Sequence, residues 1–153
     1  WAIVGDTFIL GCKIPDTCVY PEFNATNPDM SHPVYSTDYG IYVNGCGLNN
    51  TICAWGHDEY LYQVLKDPVN TNLLPKEAYY MIRFHSLYPW HNKFEYFHIM
   101  NDEDELMLPA VQEFNKYDLY TKEDIPIDIN NSELLNYYYE LFKEFFPNGG
   151  IWF

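Results

Sequence analysis

Three polar side chains stand where helical spacing aims them inward: His57, His85 and Asp118. Burying a carboxylate without a partner is costly, so an inward Asp close to two inward His residues asks for a compensating cation. A divalent metal is the economical one. Two imidazoles and a carboxylate suit iron, manganese or zinc, and with coordination positions left open the set fits non-haem iron oxygen chemistry. Each residue alone has a plainer reading, because a His on an apolar helix face is commonly a hydrogen-bonded core residue. Spacing leaves both readings open.

The elements that must place these residues are mostly helical. Residues 55–66 predict one helix carrying His57. Pro75 starts the next, with Glu77 in its first turn, and Ala78, Met81, Ile82 and His85 fall at i, i+3, i+4 and i+7, which puts His85 on an apolar stripe. Asp102 and Glu105 open a short helix, and Pro109 begins a fresh one in which Val111, Phe114 and Asp118 share a face. A last helix runs from Ser132 as N-cap to about Phe146, with Leu135, Tyr138, Phe142 and Phe145 as its apolar face. Residues 11–53 are dense in Pro, Gly, Asn and Asp and predict loops with one helical turn near residues 36–42. The class is mainly α, with an irregular, loop-rich N-terminal third.

Composition narrows the partners. The 153 residues hold 8 Lys+Arg against 22 Asp+Glu, a net charge of −14, which repels a phosphate backbone and an anionic lipid surface. Nucleic acid and membrane are therefore poor partners. No apolar run approaches the ~20 residues of a spanning helix, and residues 1–10 have neither a basic region nor a continuous apolar core of a signal peptide. Cys12, Cys18, Cys46 and Cys53 follow no C-x-x-C pattern, and their even number fits buried thiols as well as it fits disulfides; the compartment reads as reducing and cytoplasmic. The chain opens on Trp1 rather than Met, which suggests a fragment.

Six segments decide between the two readings of the polar trio. They are W-A-I-V-G-D-T-F (1–8), Y-S-T-D-Y-G-I-Y (35–42), C-G-L-N-N (46–50), W-G-H-D-E-Y-L-Y-Q-V-L-K (55–66), Y-Y-M-I-R-F-H-S-L-Y-P-W-H (79–91) and L-P-A-V-Q-E-F-N-K-Y-D-L-Y-T-K (108–122). In this order they closely resemble the myo-inositol oxygenase family. R-F-H-S-L-Y-P-W-H and Q-E-F-N-K-Y-D-L-Y-T-K are too long to match by coincidence.

The resemblance implies an all-helical variant of the HD-domain fold and a di-iron centre that uses O2 to cleave the ring of myo-inositol to D-glucuronate. It implies that His57 and His85 ligate one iron and Asp118 the other, with Asp58 beside the centre rather than on it. Asp6, Ser86 and Lys122 match positions that hold inositol. Lys122 also follows Asp118 by one helical turn, where its charge favours a metal-bound alkoxide, a catalytic role, the plainer alternative being an exposed surface lysine. His91 and His98 have no such support and read as structural or surface residues.

The sequence departs from the family in two places. The upstream His and H-D-x-G-K segment, whose Asp bridges the irons, are not found, so residues 1–153 correspond to about the C-terminal half of the domain. The 153-residue chain alone is therefore expected to be inactive, with one weakly held ion at most and an open apolar face that favours self-association. An insertion falls within residues 67–72, where loops absorb length readily. Two other readings stand beside the oxygenase: a metal-dependent phosphohydrolase fragment of the HD fold, and a non-catalytic carbohydrate-binding or interaction module using the 15 Tyr and 4 Trp.

Overall fold

A computed structural model describes residues 5–118 and 128–153 and is mainly helical. Five α-helices are found among the described residues: α1 (His57–Lys66), α2 (Lys76–Phe84), α3 (Tyr88–Lys93), α4 (Asp102–Asp118) and α5 (Ser132–Phe145). Before them the chain makes 3-10 turns at Pro21–Thr26, Pro28–Ser31 and Leu48–Asn50. Two short strands, β1 (Ile9–Leu10) and β2 (Ile52–Cys53), pair antiparallel with Ile9 opposite Cys53. The loop-rich first third is thus as expected, but residues 36–42 form turns and bends rather than a helical turn. Gly40 permits one of them: its φ is +56°, and a Cβ there would strike the Gly11 carbonyl.

α1 opens two residues later than predicted, at His57, because Gly56 is extended (φ −115°, ψ −175°). Asp58 and Glu59 lie in its first turn, where negative charge meets the positive end of the helix dipole. α2 follows Pro75, which stands just outside the helix, and ends before His85. Its buried residues are Tyr80, Arg83 and Phe84, while Ala78, Met81, Ile82 and His85 are half-buried. The predicted apolar stripe is therefore not the core face. The core face contains an arginine, which a hydropathy pattern scores as solvent-facing and which an ion pair makes burial-compatible.

α3 is a helix that the sequence pattern does not reveal, since Pro89 stands in its first turn and Phe94 stops it in the left-handed region at φ 61°. α4 corrects the predicted pair of helices: it runs unbroken through Pro109. Pro109 and Glu105, whose carbonyl the missing N–H leaves without its usual helix donor, are both exposed, so the break lies on the open side of α4 rather than in the core. α5 is capped by Asn131 rather than Ser132; the Asn131 Oδ1 accepts from the N–H groups of Glu133 and Leu134 at 3.0 and 3.2 Å. None of its residues is buried.

The core joins the loop region to the helices. Ile9, Cys12, Leu48 and Cys53 pack with Tyr80, Phe84, Leu87, Trp90, Tyr96, Ile99, Met107 and Val111. Asp104 is fully buried and accepts from Leu48 N, Asn101 N and the Tyr80 hydroxyl at 2.8, 2.9 and 2.7 Å, which fixes the start of α4. The loop after α1 is anchored too. Asn70 donates to Val64 O and Trp152 O, both at 2.7 Å, and accepts from Trp152 N, tying the loop after α1 to the end of the chain. No described helix is long and apolar enough to cross a membrane.

Candidate metal centre

His57 is the first residue of α1 and His85 immediately follows α2, so the packing of these two helices brings one end of each together. The Nε2 atoms of the two imidazoles lie 2.8 Å apart, with the rings crossed at 77°. His85 Nδ1 stands 3.1 Å from Met81 O and 3.0 Å from Ile82 O. Carbonyl oxygens only accept, so Nδ1 carries the ring proton and Nε2 presents its lone pair toward His57. That is the tautomer a metal ligand needs.

Asp58 adds negative charge beneath the pair. It is only 1% exposed, and its Oδ1 accepts from Glu59 N at 2.8 Å, while Oδ2 has no hydrogen-bond partner among the described residues. Burial pushes its carboxyl pKa up, against the pull of the neighbouring imidazoles. A cation at the imidazole pair would offset this buried charge.

These donors fit part of a metal site. Two nitrogens each about 2.1 Å from one ion and at right angles to each other lie about 3 Å apart, close to the separation seen here. The rest of a coordination shell is another matter. Among the described residues no three His, Cys, Asp or Glu side chains come together as a metal-holding group.

Asp118 corrects the expectation drawn from its helix face. It is exposed at the end of α4 rather than turned inward, and it takes the Tyr88 hydroxyl at 3.3 Å. The helical phase is right, but that flank of α4 is open: Phe114, one turn earlier, is 37% exposed although its ring stands edge-on to His85 with the centroids 5.9 Å apart. A face can be apolar and still not be the core.

The other sequence-predicted residues sit near one another in part. Ser86 is buried, and its carbonyl accepts from Thr7 N at 2.9 Å, which stitches the residue after Asp6 to the residue after His85. Asp6 is half-buried; burial raises its pKa, and its Oδ2 accepts from Val19 N at 2.8 Å. It lines a cavity of about 620 Å³ together with Phe8, Ile14, Phe23 and Tyr88. Lys122 lies outside the described residues. Of the two histidines that the sequence leaves as structural or surface residues, His91 is buried against the His85 carbonyl and His98 is half-buried, 2.8 Å from Asp38 O.

Sequence pattern missed Glu59 and Arg83. Their ion pair is 2.7 Å long with side chains 7% and 5% exposed, and Arg83 also donates to Asn49 O at 3.2 Å and Thr51 O at 3.1 Å. The signal available was a charged residue at a core phase on each of two neighbouring helices.

Comparison with known proteins places the chain in a family. The family model described as Myo-inositol oxygenase matches residues 1–152. The chain is 49% identical to Inositol oxygenase of Dictyostelium discoideum over 152 residues, covering 99% of this chain and 51% of that protein. It is 49% identical to Inositol oxygenase of Sus scrofa over 154 residues, 99% and 53% of the two chains. Identity to Inositol oxygenase 4 of Arabidopsis thaliana is 43% over 152 residues, 99% and 47%. The chain spans about half the length of the curated relatives it matches. With its motifs matched from end to end and its two histidines converging, the chain belongs to the myo-inositol oxygenase family.

Proposed function

We propose that this chain supplies the His57/His85 part of the iron centre of an inositol oxygenase, and that the whole protein uses O2 to open the ring of myo-inositol to D-glucuronate. The observation that carries the reading is the 2.8 Å approach of the two Nε2 atoms, with the His85 proton committed to backbone carbonyls on the other side of its ring. Iron bound there would supply the redox capacity and the open coordination positions that oxygen chemistry needs. Buried Asp58, which interacts electrostatically with both imidazoles, would offset its charge. Asp118 would ligate a second iron from the exposed end of α4, where the Tyr88 hydroxyl orients one of its oxygens.

Asp6 and Ser86 would bind hydroxyl groups of inositol, and the Thr7–Ser86 backbone bond sets the spacing between them. Lys122 would act on a reacting hydroxyl, its ammonium favouring the deprotonated form. Residues 1–153 then make up about the C-terminal half of a helical domain of the HD type. With no third ligand beside the pair among the described residues, the 153-residue chain by itself holds iron weakly and does not turn over inositol.

The test is iron content per chain after anaerobic reconstitution with ferrous iron, for the unaltered chain and for His85→Ala. The expected result is up to about one weakly held iron per chain, lost on substitution. Iron retained unchanged in His85→Ala would defeat the proposal.

A further inference from the structure

The peptide oxygen of His85 carries a second imidazole. His91, 1% exposed within α3, places its Nε2 at 2.9 Å from His85 O. Since a carbonyl only accepts, that nitrogen holds a proton and donates it to the His85 carbonyl. The carbonyl of His91 in turn accepts from Gln112 Nε2 at 2.8 Å, and Gln112 lies on α4, the helix that ends in Asp118.

His85 follows the last turn of α2, where backbone carbonyls have no partner inside the helix. One such carbonyl, its own, is satisfied by His91. Without that donor the His85 carbonyl has reason to turn toward water, and a backbone that shifts at Cα to let it do so re-aims the Cα–Cβ bond and the imidazole. Two hydrogen bonds in series therefore connect the aim of His85 to the position of α4.

We propose that His91 is a positioning residue for the imidazole pair: its Nε2–H holds the His85 carbonyl and so the direction of the His85 ring, and Gln112, holding the His91 carbonyl, keeps that turn in step with the helix carrying Asp118. This rests on the reading of His57 and His85 as metal ligands.

The experiment compares the unaltered chain with His91→Phe, His91→Gln and Gln112→Leu. Glutamine places an N–H where the imidazole Nε2–H stands, whereas phenylalanine fills the space without a donor. With Co2+ as the probe, His91→Phe binds about 10–100-fold more weakly than the unaltered chain, and His91→Gln stays within about threefold of it. In metal-free protein, long-range 1H–15N spectra show the His85 ring as a single Nδ1–H tautomer in the unaltered and Gln chains and as a mixture in the Phe chain.

Equal Co2+ affinity in the unaltered and Phe chains overturns the proposal, as does a Gln chain as weak as the Phe chain. If His91→Phe does not fold, Gln112→Leu carries the test: weaker Co2+ binding with unchanged far-UV circular dichroism supports the tether, and unaltered affinity overturns it. An unaltered chain that binds no Co2+ defeats the metal reading alone, and the tautomer spectra then judge the tether by themselves.

Discussion

Glu59 and Arg83 meet at 2.7 Å, and each stands two residues along its helix from one imidazole of the pair. Arg83 also lies 4.4 Å from the centre of the Tyr62 ring, so its guanidinium is hydrogen-bonded at the edge and covered on a face. The separation of His57 and His85 is thus set by a buried clamp between α1 and α2, not by the imidazoles themselves. Arg83→Met leaves Glu59 charged, buried and unpaired, and is expected to lower unfolding free energy by about 3–5 kcal/mol in urea titration. Adding Glu59→Gln should return part of that loss. Equal stability of Arg83→Met and the unaltered chain would refute the clamp.

The thiols give a pH prediction. Burial pushes Cys12, Cys18 and Cys53 up to about 12 from an ordinary 9.0. The folded state therefore keeps these protons where the unfolded state gives them up, so stability is whole below pH 9 and lost as pH rises from 9 toward 12. The urea midpoint followed against pH should hold flat to about 9 and then fall. A thiol reagent at pH 8 should label half-buried Cys46 first and reach the other three only on unfolding.

Pro109 sits inside α4 at an exposed position. Its ring denies the Glu105 carbonyl a donor, and a proline in a helix interior costs ~3 kcal/mol relative to alanine. Pro109→Ala should raise the thermal midpoint, by up to about 3 kcal/mol of unfolding free energy. A lowered midpoint would mean the proline holds a bend that packing requires.

α5 presents Leu135, Tyr138 and Tyr139 to solvent, at 54%, 59% and 60% exposure. An apolar face of this kind drives association. Sedimentation should show the average mass rising with concentration, and the pair Tyr138→Lys and Phe142→Lys should bring it back to that of a single chain. Mass unaffected by either would exclude α5 as the contact.

Periodicity located α1, α2 and α5 because each repeats apolar residues at helical spacing, and the tally of Pro and Gly foretold the loops of the first third. It split α4 because proline is a strong stop signal whose effect fades when the unmet carbonyl faces water. It missed α3 because six residues around a proline carry too little period to read. Of the site, motif matching singled out His57 and His85, and the structure brings these two together. The same matching could not foresee that Asp118 is exposed, since phase along a helix says which residues share a face and nothing of what covers it. Glu59 and Arg83 escaped for the converse reason: pairing lets charge go where hydropathy forbids it.

The two imidazoles that converge are only 28 positions apart in the chain. Both belong to one helical hairpin whose own ion pair spans 24 positions, so the loop that must close is short and its entropy cost small. Contacts this local form early and open as a unit. Amide protons of α1 and α2 should therefore exchange together, and the imidazole pair should assemble with the hairpin, in advance of the more distant end of α4.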